Sequence, residues 1–164
     1  MEYEKLEKEE DPLMSAVDAE EAGQYEMAFS LFERLAAQGD TYAMTALARF
    51  YEDGLGVEAD FDKSIYWAEK AAVAGDPIGM SNLAISYRRI GEMLKAKEWF
   101  ERALASGFTG AALELAKMYM ISDKESENVK RYLGIVLRGS VGIEISEDEF
   151  NKAKELLSYL NSKN

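Results

Sequence analysis

The sequence predicts an all-α fold, a stack of antiparallel helix pairs about nine helices long and closed by a C-terminal capping helix. Three observations carry that prediction. Glycines Gly39, Gly75, Gly107 and Gly139 fall 36, 32 and 32 residues apart, a spacing typical of stacked two-helix units. With those glycines as register, seven columns of like residues coincide in three units. Within each unit the apolar and small residues recur at steps of three and four, the period of a helix.

Upstream of the register glycines, Ala28, Ser64 and Ala96 align, then Leu31, Trp67 and Trp99, then Phe32, Ala68 and Phe100. Downstream, Ala43, Gly79 and Ala111 align, followed by Leu47, Leu83 and Leu115, then Ala48, Ala84 and Ala116, then Tyr51, Tyr87 and Tyr119. Each unit therefore reads as two helices whose small residues permit close approach. The aligned tyrosines, with Trp67 and Trp99, are expected to fill the layers between them.

The elements follow in order. Helices are predicted at 12–22, 24–37, 41–53, 61–74, 77–90, 92–105, 110–121, 126–138 and 147–161. Asp11-Pro12 and Asp76-Pro77 each place an N-cap acceptor before a proline at the first helical position, and Asp40, Asp60 and Thr109 cap other helices. Ser146 and Glu149 form a capping box. Each second helix is expected to close at a register glycine in the left-handed conformation, and Gly23, Gly54 and Gly91 close first helices likewise. A fourth, degenerate unit keeps Tyr132, Ile135 and Val136 on one face, and the last helix turns Phe150, Ala153, Leu157 and Leu160 inward as a polar-backed cap. The organisation expected is an acidic flexible tail over 1–11, a helical array of about four pairs over 12–139, and a linker with the capping helix over 140–164.

Composition narrows the function classes. At 164 residues, with 48% apolar and 30% charged residues, the chain has the material of a folded domain. It contains neither cysteine nor histidine, which removes disulfides, thiolate nucleophiles, histidine triads and the usual zinc sites. The formal charge of −12 opposes binding to nucleic acid or anionic membrane. Six carboxylates against two lysines in residues 1–11 read as a solvated tail, and with no apolar run of membrane-spanning length the expected location is cytoplasmic.

The stretch Tyr51-x-x-Gly54-x-Gly56-Val57-x-x-Asp60-x-x-Lys63-Ser64-x-x-Trp67-x-x-Lys70-Ala71-Ala72-x-x-Gly75 resembles the Sel-one-like repeat family, relatives of the tetratricopeptide repeats, departing from its pattern at Ser64. The runs around Gly23, Tyr25, Ala28 and Phe32, and around Gly91, Met93, Ala96, Trp99 and Phe100, are similar to plain tetratricopeptide units. The resemblance spans roughly residues 12–139. It implies a right-handed α-solenoid that acts as an adaptor or scaffold, binding a partner protein, peptide segment or folded domain, on a concave face. Some bacterial members are immunity proteins that neutralise a toxin, which in this case would be basic. No catalytic motif, cofactor or metal is implied, and the chain is expected to be a non-enzyme, monomeric or weakly homodimeric.

In related folds the first helix of each pair lines the groove. Turned outward from the Leu-Ala-Tyr stripe are Tyr42, Thr45, Arg49 and Asp53, then Ser81, Asn82, Ile85, Arg88 and Arg89, then Leu113, Lys117 and Met120. Arg49, Ile85 and Lys117 share one column. With Arg88 and Arg89 they form a basic strip able to grip a carboxylate-bearing segment through forked contacts. The competing reading pairs them with Glu52, Asp53 and Glu114 in solvated ion pairs, each contributing under about 1 kcal/mol. Glu58, Asp60, Asp62, Ser64 and Glu69 echo a calcium loop, but Lys63 stands where its turn glycine belongs and helix capping explains Asp60. Gly54 and Gly56 form a repeat turn rather than a phosphate cradle. Acidic pairs such as Glu20-Glu21 and Glu52-Asp53 are candidate acid/base groups only if a closed pocket surrounds them.

Overall fold

A computed structural model describes residues 11–122, 127–139 and 145–162. Nine helices are present among them and no strand: α1 (Pro12–Glu21), α2 (Tyr25–Ala37), α3 (Thr41–Asp53), α4 (Phe61–Val73), α5 (Pro77–Arg89), α6 (Met93–Ala105), α7 (Gly110–Ser122), α8 (Glu127–Arg138) and α9 (Glu147–Ser162). The acidic segment 1–10 and most of the linker, 140–144, lie outside the described residues. The aspartate caps and the capping box are as the sequence predicts. Asp11 accepts from the Leu13 N–H at 2.9 Å, Asp40 from Ala43 at 2.8 Å, Asp60 from Lys63 at 3.0 Å and Asp76 from Gly79 at 2.9 Å. At α9 the Ser146 N–H and hydroxyl both donate to Glu149, at 3.2 and 2.9 Å, while the Glu149 N–H donates back to the hydroxyl at 3.3 Å. That reciprocity is the capping box.

The register glycines divide three to one. Gly39, Gly75 and Gly107 close their helices at φ of 95°, 94° and 98°, a region costly for any residue with a Cβ. Gly139 does not. Its N–H donates to Ile135 and Val136 carbonyls, both at 3.1 Å, so α8 ends on ordinary helical bonding rather than a left-handed closure. Gly56 carries the strictest requirement. Its φ is 62°, and a Cβ there would stand 2.4 Å from the carbonyl carbon of Tyr25 and from the Glu26 nitrogen, because the turn after α3 lies directly on the start of α2.

The chain forms two compact units, one up to Ala71 and one from Ala72. In the N-terminal unit α1 packs on α2 and α2 on α3. Its core is aromatic: Phe32 and Phe50 are fully buried with rings 5.5 Å apart edge to face, and Phe29 meets Tyr51 edge to face at 5.4 Å. Ala16, Ala28 and Ala43, all fully buried, supply the close approach that small columns imply. In the C-terminal unit α5 to α9 each pack on the next. Phe100, Leu115, Leu133, Val136 and Ile145 fill that core, and Ala153 and Leu160 seat the capping helix upon it. The aromatic columns are less interior than expected. Tyr51 is buried, but Trp67, Trp99, Tyr87 and Tyr119 are half-buried, and phenylalanines carry the fully enclosed volume.

Candidate functional site

The outward faces of the first helices are built from charged side chains that reach sideways to the neighbouring first helix. In the N-terminal unit Arg49 of α3 bonds Glu20 of α1 at 2.5 Å, and its guanidinium also lies over the Phe50 ring at 5.3 Å. Tyr42, Thr45 and Arg49 follow one another at helical spacing on α3. Tyr42 is 50% exposed with its ring 6.2 Å from Phe32, Thr45 is half-buried, and Arg49 and Asp53 are exposed.

In the C-terminal unit the same logic makes a longer network. Arg88 of α5 donates to Glu114 of α7 at 2.5 Å, and Lys117 donates to the other Glu114 oxygen at 2.7 Å. Lys117 also reaches Glu149 of the capping helix at 3.5 Å. Burial pushes the Glu114 carboxyl up, but hydrogen bonds and charge from Lys117 and Arg88 outweigh it and hold it below its ordinary 4.5. Glu149 is likewise held low, chiefly by the backbone and hydroxyl of Ser146, with Lys117 adding to them. Arg89 is exposed, and Asn82 and Ile85 are half-buried. Ser81 departs from the expectation of a groove-lining hydroxyl: only 5% of it is accessible, since a small side chain at this position sinks into the packing of α5. Leu113 is buried too.

Within each unit the cations assigned to the basic strip are tethered, Arg49 to Glu20 in the first, and Arg88 and Lys117 to Glu114 in the second. Glu114 pairs as the competing reading has it, whereas Arg49 takes Glu20 instead of Glu52 or Asp53. Glu20 and Glu149 carried no site signal in the sequence beyond an acidic pair and a capping box. Only the Glu114–Lys117 spacing of three, neighbours on one helix face, was readable in advance. Asp60, from the calcium-like run, spends its carboxylate on the Lys63 N–H and ammonium, which hold it below the usual range. No described helix is long and apolar enough to cross a membrane.

Comparison with known proteins fits this construction. The family model described as Sel1 repeat matches residues 21–40, 41–76 and 92–108. Those three segments are Sel1 repeats. Among solved structures, a Sel1 repeat protein from Oxalobacter formigenes matches with a TM-score of 0.67 at 18% identity, over 91% of this chain and 73% of that one. A protective antigen of uropathogenic Escherichia coli strains, displaying an SLR fold, matches with a TM-score of 0.66 at 21% identity, over 85% of this chain and 34% of the antigen. These likenesses establish the α-solenoid fold of the Sel1-repeat chain. An immunity protein from Pseudomonas aeruginosa resembles it more distantly, with a TM-score of 0.40 at 15% identity, over 84% of this chain and 75% of that one. No curated protein matches the sequence.

Proposed function

We propose that this Sel1-repeat chain is a non-catalytic adaptor or scaffold whose partner protein docks on the outward faces of the first helices, the side expected to be concave. Sel1-repeat proteins generally mediate protein–protein interaction, and their fold is typically a scaffold, which supports the class. One observation carries the choice of surface. Tyr42 and Arg49 lie exposed on one face of α3, and Arg49 is already held in place by Glu20. Tyrosine and arginine dominate binding energy at protein interfaces, and a side chain fixed beforehand loses less entropy when a partner arrives. Asn82, Ile85, Arg88, Arg89 and Lys117 offer a comparable mixture on α5 and α7, and the tethered cations suit a segment bearing carboxylates.

The test is affinity capture with the wild-type chain, a Tyr42→Ala, Arg49→Glu double variant, and a Glu33→Lys control on α2. The double variant is expected to lose its partner by roughly thirtyfold or more, the scale of a truncated hot spot, while the control retains it. Equal capture by all three chains contradicts this surface. The charge of −12 favours a second reading, an inhibitor that neutralises a basic protein. Under that reading capture survives Arg49→Glu and weakens steeply with added salt.

A further inference from the structure

Within the C-terminal unit the capping helix α9 is the least embedded. Its neighbour α8 buries four of twelve residues, Val129, Tyr132, Leu133 and Val136, whereas α9 buries two of sixteen, Ala153 and Leu160. Phe150, Leu156 and Leu157 are half-buried, and Lys154, Glu155, Ser158 and Tyr159 are exposed. A hollow of about 140 Å3 between α7, α8 and α9 thins the contact further, because atoms lining a void lack partners on one side. The polar bonds of α9 are largely its own. Ser146 and Glu149 cap it reciprocally and Lys152 pairs with Asp148 at 2.5 Å, so these bonds move with the helix. Toward α7 it offers Glu149, which Lys117 reaches at 3.5 Å while holding Glu114 more closely at 2.7 Å.

We propose that α9 is an intramolecular occupant of the first-helix face, one that undocks and re-docks while α5 to α8 stay folded. The proposal rests on the docking surface assigned above and assigns its regulation. In a stack of helices the terminal element contacts neighbours on one side, and local opening is easiest where buried apolar contact is least. Both conditions meet at α9. It lies against α7 where Leu113, Ala116 and Met120 wall the hollow beside Lys117, and Glu149 sets on Lys117 the carboxylate that a partner's acidic segment would bring. Closed, α9 withholds that part of the face. Open, it releases Leu113, Met120 and Lys117 together. A site usable only in the open state has its affinity lowered by the open fraction, so the ease of opening sets the apparent affinity there.

Native-state hydrogen exchange of the full chain tests the opening. Corrected for intrinsic rates, the Ala153 and Leu157 amides are expected to exchange at least about thirtyfold faster than those of Leu115 and Ala116 in α7. Leu83→Ala, which truncates a fully buried side chain of α5, is expected to speed the α7 amides by about thirtyfold or more and to leave the α9 amides within about twofold. Equal rates in the wild type, or α9 amides that follow Leu83→Ala, overturn the proposal, since α9 then opens only with the whole unit. The wild-type rates decide the matter if Leu83→Ala does not fold. A fluorescent peptide of residues 146–162 probes the face itself. It is expected to bind the Leu160→Ala chain about tenfold more tightly than the wild-type chain, because that truncation raises the open fraction. Equal binding to the two chains, or none to either, overturns the occupancy. Failure here with partner capture still lost by the Tyr42 and Arg49 variant removes the latch alone. Retained capture by that variant removes the docking surface instead.

Discussion

The two units solve the same problem with different materials. The N-terminal unit is held by rings, with Phe32 and Phe50 fully enclosed and Phe29 and Tyr51 edge to face beside them. Its first helices are joined by the ion pair of Arg49 with Glu20. The C-terminal unit relies on branched aliphatic side chains around Phe100, leaves a hollow beneath its cap, and ties α5, α7 and α9 through Arg88, Glu114, Lys117 and Glu149. One repeat column thus supplies Arg49 to a pair with Glu20 and Lys117 to a network that also takes in Arg88, Glu114 and Glu149. What a residue contributes is decided by its neighbours more than by its place in the repeat.

That contrast can be broken at its strongest point first. Phe50→Ala is expected to lower the unfolding free energy by about 3–5 kcal/mol in urea denaturation, because the ring is fully enclosed and its loss leaves a cavity. An effect under about 1 kcal/mol contradicts an aromatic core. Next comes the turn that locks α3 onto α2. Gly56→Ala forces a Cβ to within 2.4 Å of backbone and is expected to cost about 2 kcal/mol or more, whereas Gly23→Ala, at φ 72° but facing open space, costs about 1 kcal/mol. Melting curves that rank the two the other way refute the close approach.

The third effect belongs to the C-terminal network and depends on pH. The folded pKa of Glu114 lies below its ordinary 4.5, so its stabilisation is present above that pH and is lost as the pH falls through the folded value. Glu114→Gln is expected to cost about 1.5–3 kcal/mol at pH 7, as loss of hydrogen bonds to charged groups does, and progressively less in acid. Stability measured from pH 7 to pH 3 checks it; a constant difference contradicts the network. The smallest effect is expected for Glu20→Gln. Arg49 has 43% of its side chain exposed, so that pair contributes under about 1 kcal/mol and fades in salt. A larger cost there erases the distinction between the units.

Helix positions were legible because glycine spacing, aspartate caps and helical periodicity agreed, and every helix end lies within a residue or so of its predicted place. Gly139 shows the limit of such a register: it keeps the position in the sequence without the backbone conformation that gives the position meaning. Ser81 and Leu113 failed for a related reason. A helical wheel divides a helix into two faces, while α5 and α7 are covered on more than one side, so residues assigned to solvent sink into packing. Arg49 stands out in the sequence by its column, but its partner Glu20 lies 29 residues away and outside every column, and no local rule joins them. The hollow under α9 was unreadable because it exists only where three helices and two alanines meet.

The most direct measurement is photo-crosslinking in cells with a benzophenone side chain placed at Tyr42 or Asn82, on first helices, or at Glu33 or Lys97, on second helices. An interaction module that uses its first helices predicts one and the same cross-linked partner at Tyr42 and Asn82 and none at the other two. A partner that cross-links from Glu33 or Lys97 while Tyr42 and Asn82 stay silent contradicts it.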